Sequence, residues 1–282
     1  MTASRRVSPL LLCARQELLL SIRSRWTQIF TVVFAALALA VASSGYILSG
    51  GHGVQDFART AASLIQLVIL LVPLTSLLMG VMAFAVERGA AELLYSQPVG
   101  RTTILLGKLL GLFEALAAAQ AVGFGAAGLV IFSQSGQEGL GGFLLLVVGS
   151  LALTAVFLGI AALMAAGSAG RKRSRVLSLA LVVWFVAVVL FDVAALGAAS
   201  LLRSGTASRV LIVAVVVNPV DAVRTATLLG SEGTTAFGAA SLAFLRFTGG
   251  AIGAAVMLAV SVLLWILLPP LAAARLLRKT DI

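Results

Sequence analysis

The chain has 282 residues, 61% hydrophobic and 11% charged, with a mean hydropathy of +1.12. A soluble domain keeps roughly 25% charged residues to face water, so this composition excludes one and predicts an all-α membrane protein. The net charge of +10 sits beside apolar runs without interleaved aromatics, which argues for membrane orientation over nucleic acid. One cysteine, Cys13, excludes an intrachain disulfide, and one histidine, His52, leaves too few soft or imidazole ligands for a metal cage.

Residues 1–26 hold five Arg and an apolar stripe at Leu11, Ala14, Leu18, Ile22 and Trp26. The helical spacing predicts an amphipathic helix at the membrane surface. A bilayer core of about 30 Å takes about 20 apolar residues in a helix. Runs at 27–48, 61–86, 103–132, 141–166, 176–202 and 250–274 meet that length and predict six transmembrane helices. "ALALAVASS" in the first run imitates a signal-peptidase site, but the charged region before it is long and the run outlasts a signal core. It reads as an uncleaved span. Pro73 predicts a kink in the second span. The run 210–217 is too short to cross, so the outer segment 203–249 is expected to carry interfacial helices. Fifteen of the twenty Lys and Arg fall on one set of connecting segments and five on the other. By the positive-inside rule both termini are cytoplasmic.

That topology places 87–102 in the cytoplasm. Arg88 and Glu92 stand i, i+4, and Pro98 disfavours helical backbone at Gln97, so a short helix presenting Tyr95 is expected to stop near Ser96. "PVGR" then turns the chain back through Gly100 and Arg101. Polar residues recur at membrane depth: Glu114 and Gln120 in the third span, Asp192 in the fifth. Such groups usually face a bundle interior and mark function, as a polar path or an inter-helix lock. On the outer side, "NPVDAVR" offers Asn218 and Asp221 as caps after Pro219, with Arg224 three residues from Asp221. The same residues are candidates for an outer gate or a docking surface. Met79 and Met82, i, i+3, read as packing residues rather than metal ligands. The pairs Gly107/Gly111 and Gly249/Gly253 have the spacing that permits close helix contacts.

The strip 85–108 resembles the cytoplasmic loop of ABC-2 type permeases, the membrane subunits of ATP-binding-cassette exporters. The match runs through Glu87, Gly89, Leu93, Leu94, Pro98, Gly100, Arg101, Leu106, Gly107 and Lys108. Ala85 and Ala90 depart from it, where the family usually has an acid and a Thr. "WFVAVVLFDVAALG" at 184–197, with "NPVDAVR", narrows the resemblance to permeases of the nitrous oxide reductase maturation system. The resemblance implies an exporter-type fold of six spans in a bacterial or archaeal cytoplasmic membrane. It also implies a coupling loop carried by Glu87, Arg88, Glu92, Tyr95, Gln97, Pro98, Gly100 and Arg101, a cytoplasmic ATPase, a second copy of the chain and a periplasmic β-helical partner. ATP and Mg would bind the ATPase and no cofactor this chain. "TILLGKLLG" supports that division: Thr102 takes the first P-loop glycine position and Leu109 replaces the metal-binding hydroxyl. No nucleophile–base pair for bond chemistry is evident. Two alternatives stand beside this reading, an exporter of other cargo and a proton-coupled transporter using Glu114 and Asp192.

Overall fold

The computed structural model describes residues 8–47, 54–85, 99–135, 139–168, 172–232 and 239–279. The described residues form helices throughout, in the order α1 (Pro9–Arg23), α2 (Arg25–Ile47), α3 (Val54–Phe84), α4 (Arg101–Ser135), α5 (Leu140–Gly167) and α6 (Arg173–Phe185). After a π-helical turn at Val186–Leu190 follow α7 (Phe191–Ser200), α8 (Ser204–Val217), α9 (Pro219–Glu232), α10 (Ala239–Thr248) and α11 (Ala251–Lys279). Six spans are long and apolar enough to cross a membrane: α2, α3, α4, α5, the composite α6–π–α7, and α11. The pair α8–α9 is bent by 102° at Asn218 and forms a broken or re-entrant seventh element.

Local chemistry sets the ends of α1. Ser8 caps it, its Oγ accepting the Leu11 N–H at 3.4 Å, and Pro9 fills the first helical position, where a missing N–H costs nothing. At Ser24 the backbone turns extended, and the helix breaks before Arg25. Both α3 and α11 run as single helices through their prolines, Pro73 and the pair Pro269–Pro270.

The core lies among α2, α3, α4 and α5. Phe34, Phe124, Phe143 and Phe132 form an edge-on chain of rings with centroids 5.2 to 6.0 Å apart. Gly123 lets the Phe34 ring lie against the α4 backbone. Gly159 likewise admits Pro270, so the proline pair of α11 nests against α5.

α1 turns its small and polar residues to the bundle and most of its leucines outward. It buries Ala14, Glu17 and Ser21, and it exposes Leu11, Leu12, Leu19, Leu20 and Ile22. Of the predicted stripe only Ala14 is buried; Trp26 at its end is 57% exposed. The cause is on α4. A Cβ at Gly107 would meet Cys13 and the Leu10 carbonyl, and one at Gly111 would meet the Ala14 carbonyl, Glu17 and the Leu18 nitrogen. Moving four residues along α4 moves the contact about four residues along α1, so α1 runs alongside α4 rather than across it. Backbones that close accept small side chains and exclude leucine.

The second glycine pair works differently. Gly249 has φ +78° and Gly250 φ +119°, and both turn the chain between α10 and α11. Gly253 faces the Thr248 carbonyl at that same turn, so this pair shapes a turn and not a contact between two spans.

Candidate functional site: a basal clamp and a far-end hairpin

Two polar clusters lie at opposite ends of the bundle. The basal end gathers the last turn of α3, the first turns of α4 and α6, and the last turns of α11. The six residues Glu87, Arg88, Glu92, Tyr95, Gln97 and Pro98 fall within 86–98, outside the described residues; Gly100 and Arg101 are described.

Both feet of that segment are fastened. Lys108 Nζ donates to the Ala83 carbonyl at 2.9 Å, and Arg173 Nη2 donates to the Met82 carbonyl at 2.8 Å. Those carbonyls belong to the last turn of α3, where cations are favoured by about 0.3–1 kcal/mol each. At the other foot, Arg101 Nη1 donates to the Leu277 carbonyl near the end of α11, at 2.9 Å. The entry foot is therefore tied to α4 and α6, and the exit foot to α11. Of these three cations only Arg101 is among the expected coupling residues. The unused signal was the placement of each cation beside the end of another span.

Glu17 joins this end. It is buried, its carboxylate lies 3.9 Å from Lys108 Nζ, and burial pushes the carboxyl above its ordinary value of 4.5 while Lys108 pulls it partly back. The clue in the sequence was a lone acid in a cationic segment that must face Gly107 and Gly111.

At the far end the structure brings together two groups that the sequence kept apart. Arg224 Nη1 lies 2.6 Å from Asp192 Oδ2 on α7 and 3.1 Å from Asp221 Oδ1 on its own helix. Asn218 stands at the bend between α8 and α9. Its Oδ1 accepts the Val220 N–H at 3.1 Å, which caps α9, and its Nδ2 donates to Asp221 Oδ2 at 2.9 Å. The same Nδ2 donates at 2.8 Å to the Ala187 carbonyl, inside the π-turn of the fifth span. Pro219 occupies the first turn of α9, where its missing N–H costs nothing. On the other flank, Ser261 Oγ and Trp265 Nε1 of α11 donate to the Val216 and Val217 carbonyls, at 2.5 and 3.0 Å. These carbonyls end α8 and lack helical partners. Ser261 and Trp265 were not singled out in the sequence; their i, i+4 spacing in an apolar span was the available signal.

The hairpin is thus held between the fifth and sixth spans by side-chain bonds on both sides. Two carboxylates share one guanidinium, and the Arg224 Nε is buried with no partner among the described residues. The arrangement holds a helix end in place. It offers no nucleophile, and no group of three His, Cys, Asp or Glu among the described residues could hold a metal ion.

Glu114 and Gln120 do not join this cluster. Gln120 is buried between α4 and α5, where its Nε2 donates to Thr154 Oγ1 at 2.7 Å and its Oε1 accepts the Ser150 hydroxyl. Ser150 and Thr154 are fully buried as well. The three side chains close on one another as a lock between two helices. Glu114 lies on the exposed face of α4, with no hydrogen bond or ion pair among the described residues. No hydrogen bond links Glu114, Gln120 and Asp192 to one another. Met79 is buried, and its sulfur accepts the Thr27 hydroxyl at 4.0 Å, as a core residue does.

Comparison with known proteins agrees with this architecture. The family model described as "ABC-2 family transporter protein" matches residues 11–282. The "Probable ABC transporter permease protein NosY" of Pseudomonas aeruginosa is 35% identical over 236 residues, covering 82% of this chain and 85% of that protein. The protein of the same name from Stutzerimonas stutzeri is 36% identical over 236 residues, covering 81% and 85%. A match across nearly the whole chain and a second one above 30% identity, together with six apolar spans and a long polar break between the second and third, place the chain in the ABC-2 family of transporter proteins.

Proposed function

We propose that this chain is the membrane permease of an exporter-type ATP-binding-cassette complex, working as a pair of copies with two NosF-like ATPase subunits in a cytoplasmic membrane. The basal end faces the cytoplasm, and the 87–102 segment is the coupling loop. ATP and Mg bind the ATPase, whose closure displaces the loop. The single observation that carries the reading is the fastening of both loop feet, by Lys108 and Arg173 at the entry and Arg101 at the exit. A loop held to three other helices passes a push into the bundle; a free loop would absorb it. α1 stiffens the same end through its backbone-close seam on α4. Likeness to the two NosY proteins extends the proposal to copper-site maturation of nitrous oxide reductase, with a NosD-like periplasmic β-helical protein docking at the far-end hairpin. Transport of another cargo by the same machinery is the alternative within this class.

The test is a mild-detergent pull-down of the tagged chain from its native membrane. Recovery of an ATPase and a β-helical periplasmic protein supports the full reading. Recovery of the ATPase alone keeps the exporter and removes the maturation role. If neither is recovered while a control transporter keeps its partners, the coupling assignment fails. In the same assay, Glu87→Ala with Arg101→Ala is expected to lower ATPase recovery while membrane insertion stays normal.

A further inference from the structure

The fifth span is the least buried of the six: 11% of its most apolar stretch lies inside the chain, against 17% for α11, 28% for α2 and about half for α3, α4 and α5. It touches the rest of the molecule at few places, and these fall into two sets. Its basal half, α6, packs on α3. Arg173 bonds the Met82 carbonyl there, and Trp184 Nε1 bonds the Leu70 carbonyl at 3.0 Å. Its far half, α7, packs on α8 and carries Asp192, which holds Arg224 of α9. The π-turn Val186–Leu190 lies between the halves, its Phe191 N–H reaching back five residues to the Val186 carbonyl. Sharp helix kinks fall at π-bulges among a few other sites, so the turn is the place where this span bends most readily.

Asn218 ties this weak point to the hairpin. One side chain caps α9, bonds Asp221 and bonds the Ala187 carbonyl of the π-turn. An angular change at the turn must then be matched by movement of the bend between α8 and α9, or these bonds break. The other flank of the bend is held by Ser261 and Trp265 of α11, whose basal end is bonded to the loop's exit foot by Arg101.

We propose that the fifth span is a jointed rod with the π-turn as its joint, and that Asn218 is the positioning residue that makes the hairpin follow that joint. The loop's entry foot moves α3 and, through Arg173 and Trp184, the basal half of the rod. The exit foot moves α11. The hairpin, bridging the two, converts their relative displacement into movement at the far end. This rests on the coupling-loop reading above and adds the route by which the push arrives. Its physical content is a discrete bonded element biased from both ends, which is what a claim of long-range coupling requires.

The experiment uses the full chain with its ATPase in lipid nanodiscs, in a Cys13→Ser background and diluted with unlabelled copies. Spin-label distances are read with and without ATP–vanadate. One pair spans the far end, Leu201→Cys with Ile252→Cys, both highly exposed. The other spans the basal half, Leu179→Cys with Leu271→Cys, also exposed. In the wild type both distances are expected to shift. Asn218→Ser keeps a hydroxyl able to cap α9 but removes the amide that reaches Ala187. It is expected to leave the basal shift unchanged while cutting the far-end shift about threefold or more. A far-end shift equal to that of the wild type overturns the joint. If Asn218→Ser fails to assemble, Trp184→Phe, which loosens the rod from α3, is expected to reduce the basal and the far-end shifts together, and an undiminished far-end shift in it overturns the proposal equally. A wild type in which neither pair moves overturns the coupling-loop reading itself, a result distinct from loss of the joint.

Discussion

Glu17 shows how one residue can be costly and still be placed. Its folded carboxyl titrates above the ordinary value of 4.5, mainly because burial disfavours the charged form. The folded chain therefore holds this proton more tightly than the unfolded chain does. Its contribution to stability is most favourable below about pH 4.5 and declines as pH rises through the folded value. Melting of the detergent-solubilised chain is expected to occur at lower temperature at pH 8 than at pH 5, and Glu17→Gln should flatten that difference; an unchanged pH dependence would show that Glu17 is not its source. Gly107 gives a second test on the same seam. A methyl there would meet Cys13, so Gly107→Ala should part α1 from α4 and cost about 1–3 kcal/mol, as overpacking does. Maleimide labelling of the half-buried Cys13 reports it directly, and labelling is expected to accelerate in the variant.

Among elements, the α4–α5 pair depends on the Gln120–Ser150–Thr154 lock. Gln120→Leu takes the acceptor from the Ser150 hydroxyl in an apolar interior, while Thr154 keeps its bond to the Ser150 carbonyl, and inter-helix bonds of this kind contribute about 0.6–2 kcal/mol in membranes. A loss of that size in reversible denaturation, with the helix content kept, is the expected outcome. The long apolar runs of the spans were legible because lipid imposes a length and an apolar composition that need no tertiary information. The facing of α1 was not. Leu11, Ile22 and Trp26 mark one apolar stripe and stay exposed, and nothing in their spacing tells that Ala14, Glu17 and Ser21 are what the glycines of α4 admit. Periodicity states that a helix has two faces; only the neighbour decides which is inside. The π-turn was equally hidden, since "VAVVL" carries no glycine, proline or polar residue to announce it.

For the whole molecule, the sequence placed Asp192 in one candidate group and Asn218, Asp221 and Arg224 in another. Separations such as the 32 residues between Asp192 and Arg224 carry no local signal, so their union emerges only from the fold. Asp221–Arg224, at i, i+3, could be read directly. Arg224→Gln leaves both acids without their cation and is expected to cost about 1–3 kcal/mol, discounted from the fully buried case because these side chains retain some exposure. Adding Asp192→Asn should recover part of that loss, and a double-mutant cycle on thermal unfolding measures the coupling between the fifth span and the hairpin. Strict additivity would mean that the pair holds nothing together.

The seam between α1 and α4 also sets an order of events during synthesis. Glu17 leaves the ribosome some 90 residues before Lys108 and the glycines that receive it, roughly five to twenty seconds at usual elongation rates. For that interval the N-terminal helix has no place to bury its acid. Its outward leucines are what can keep it at the lipid surface until the third span arrives. In arrested nascent chains, Cys13 should stay open to maleimide until α4 has emerged and become protected thereafter. The leucines that look misplaced in the finished fold are, on this view, fitted to the unfinished one.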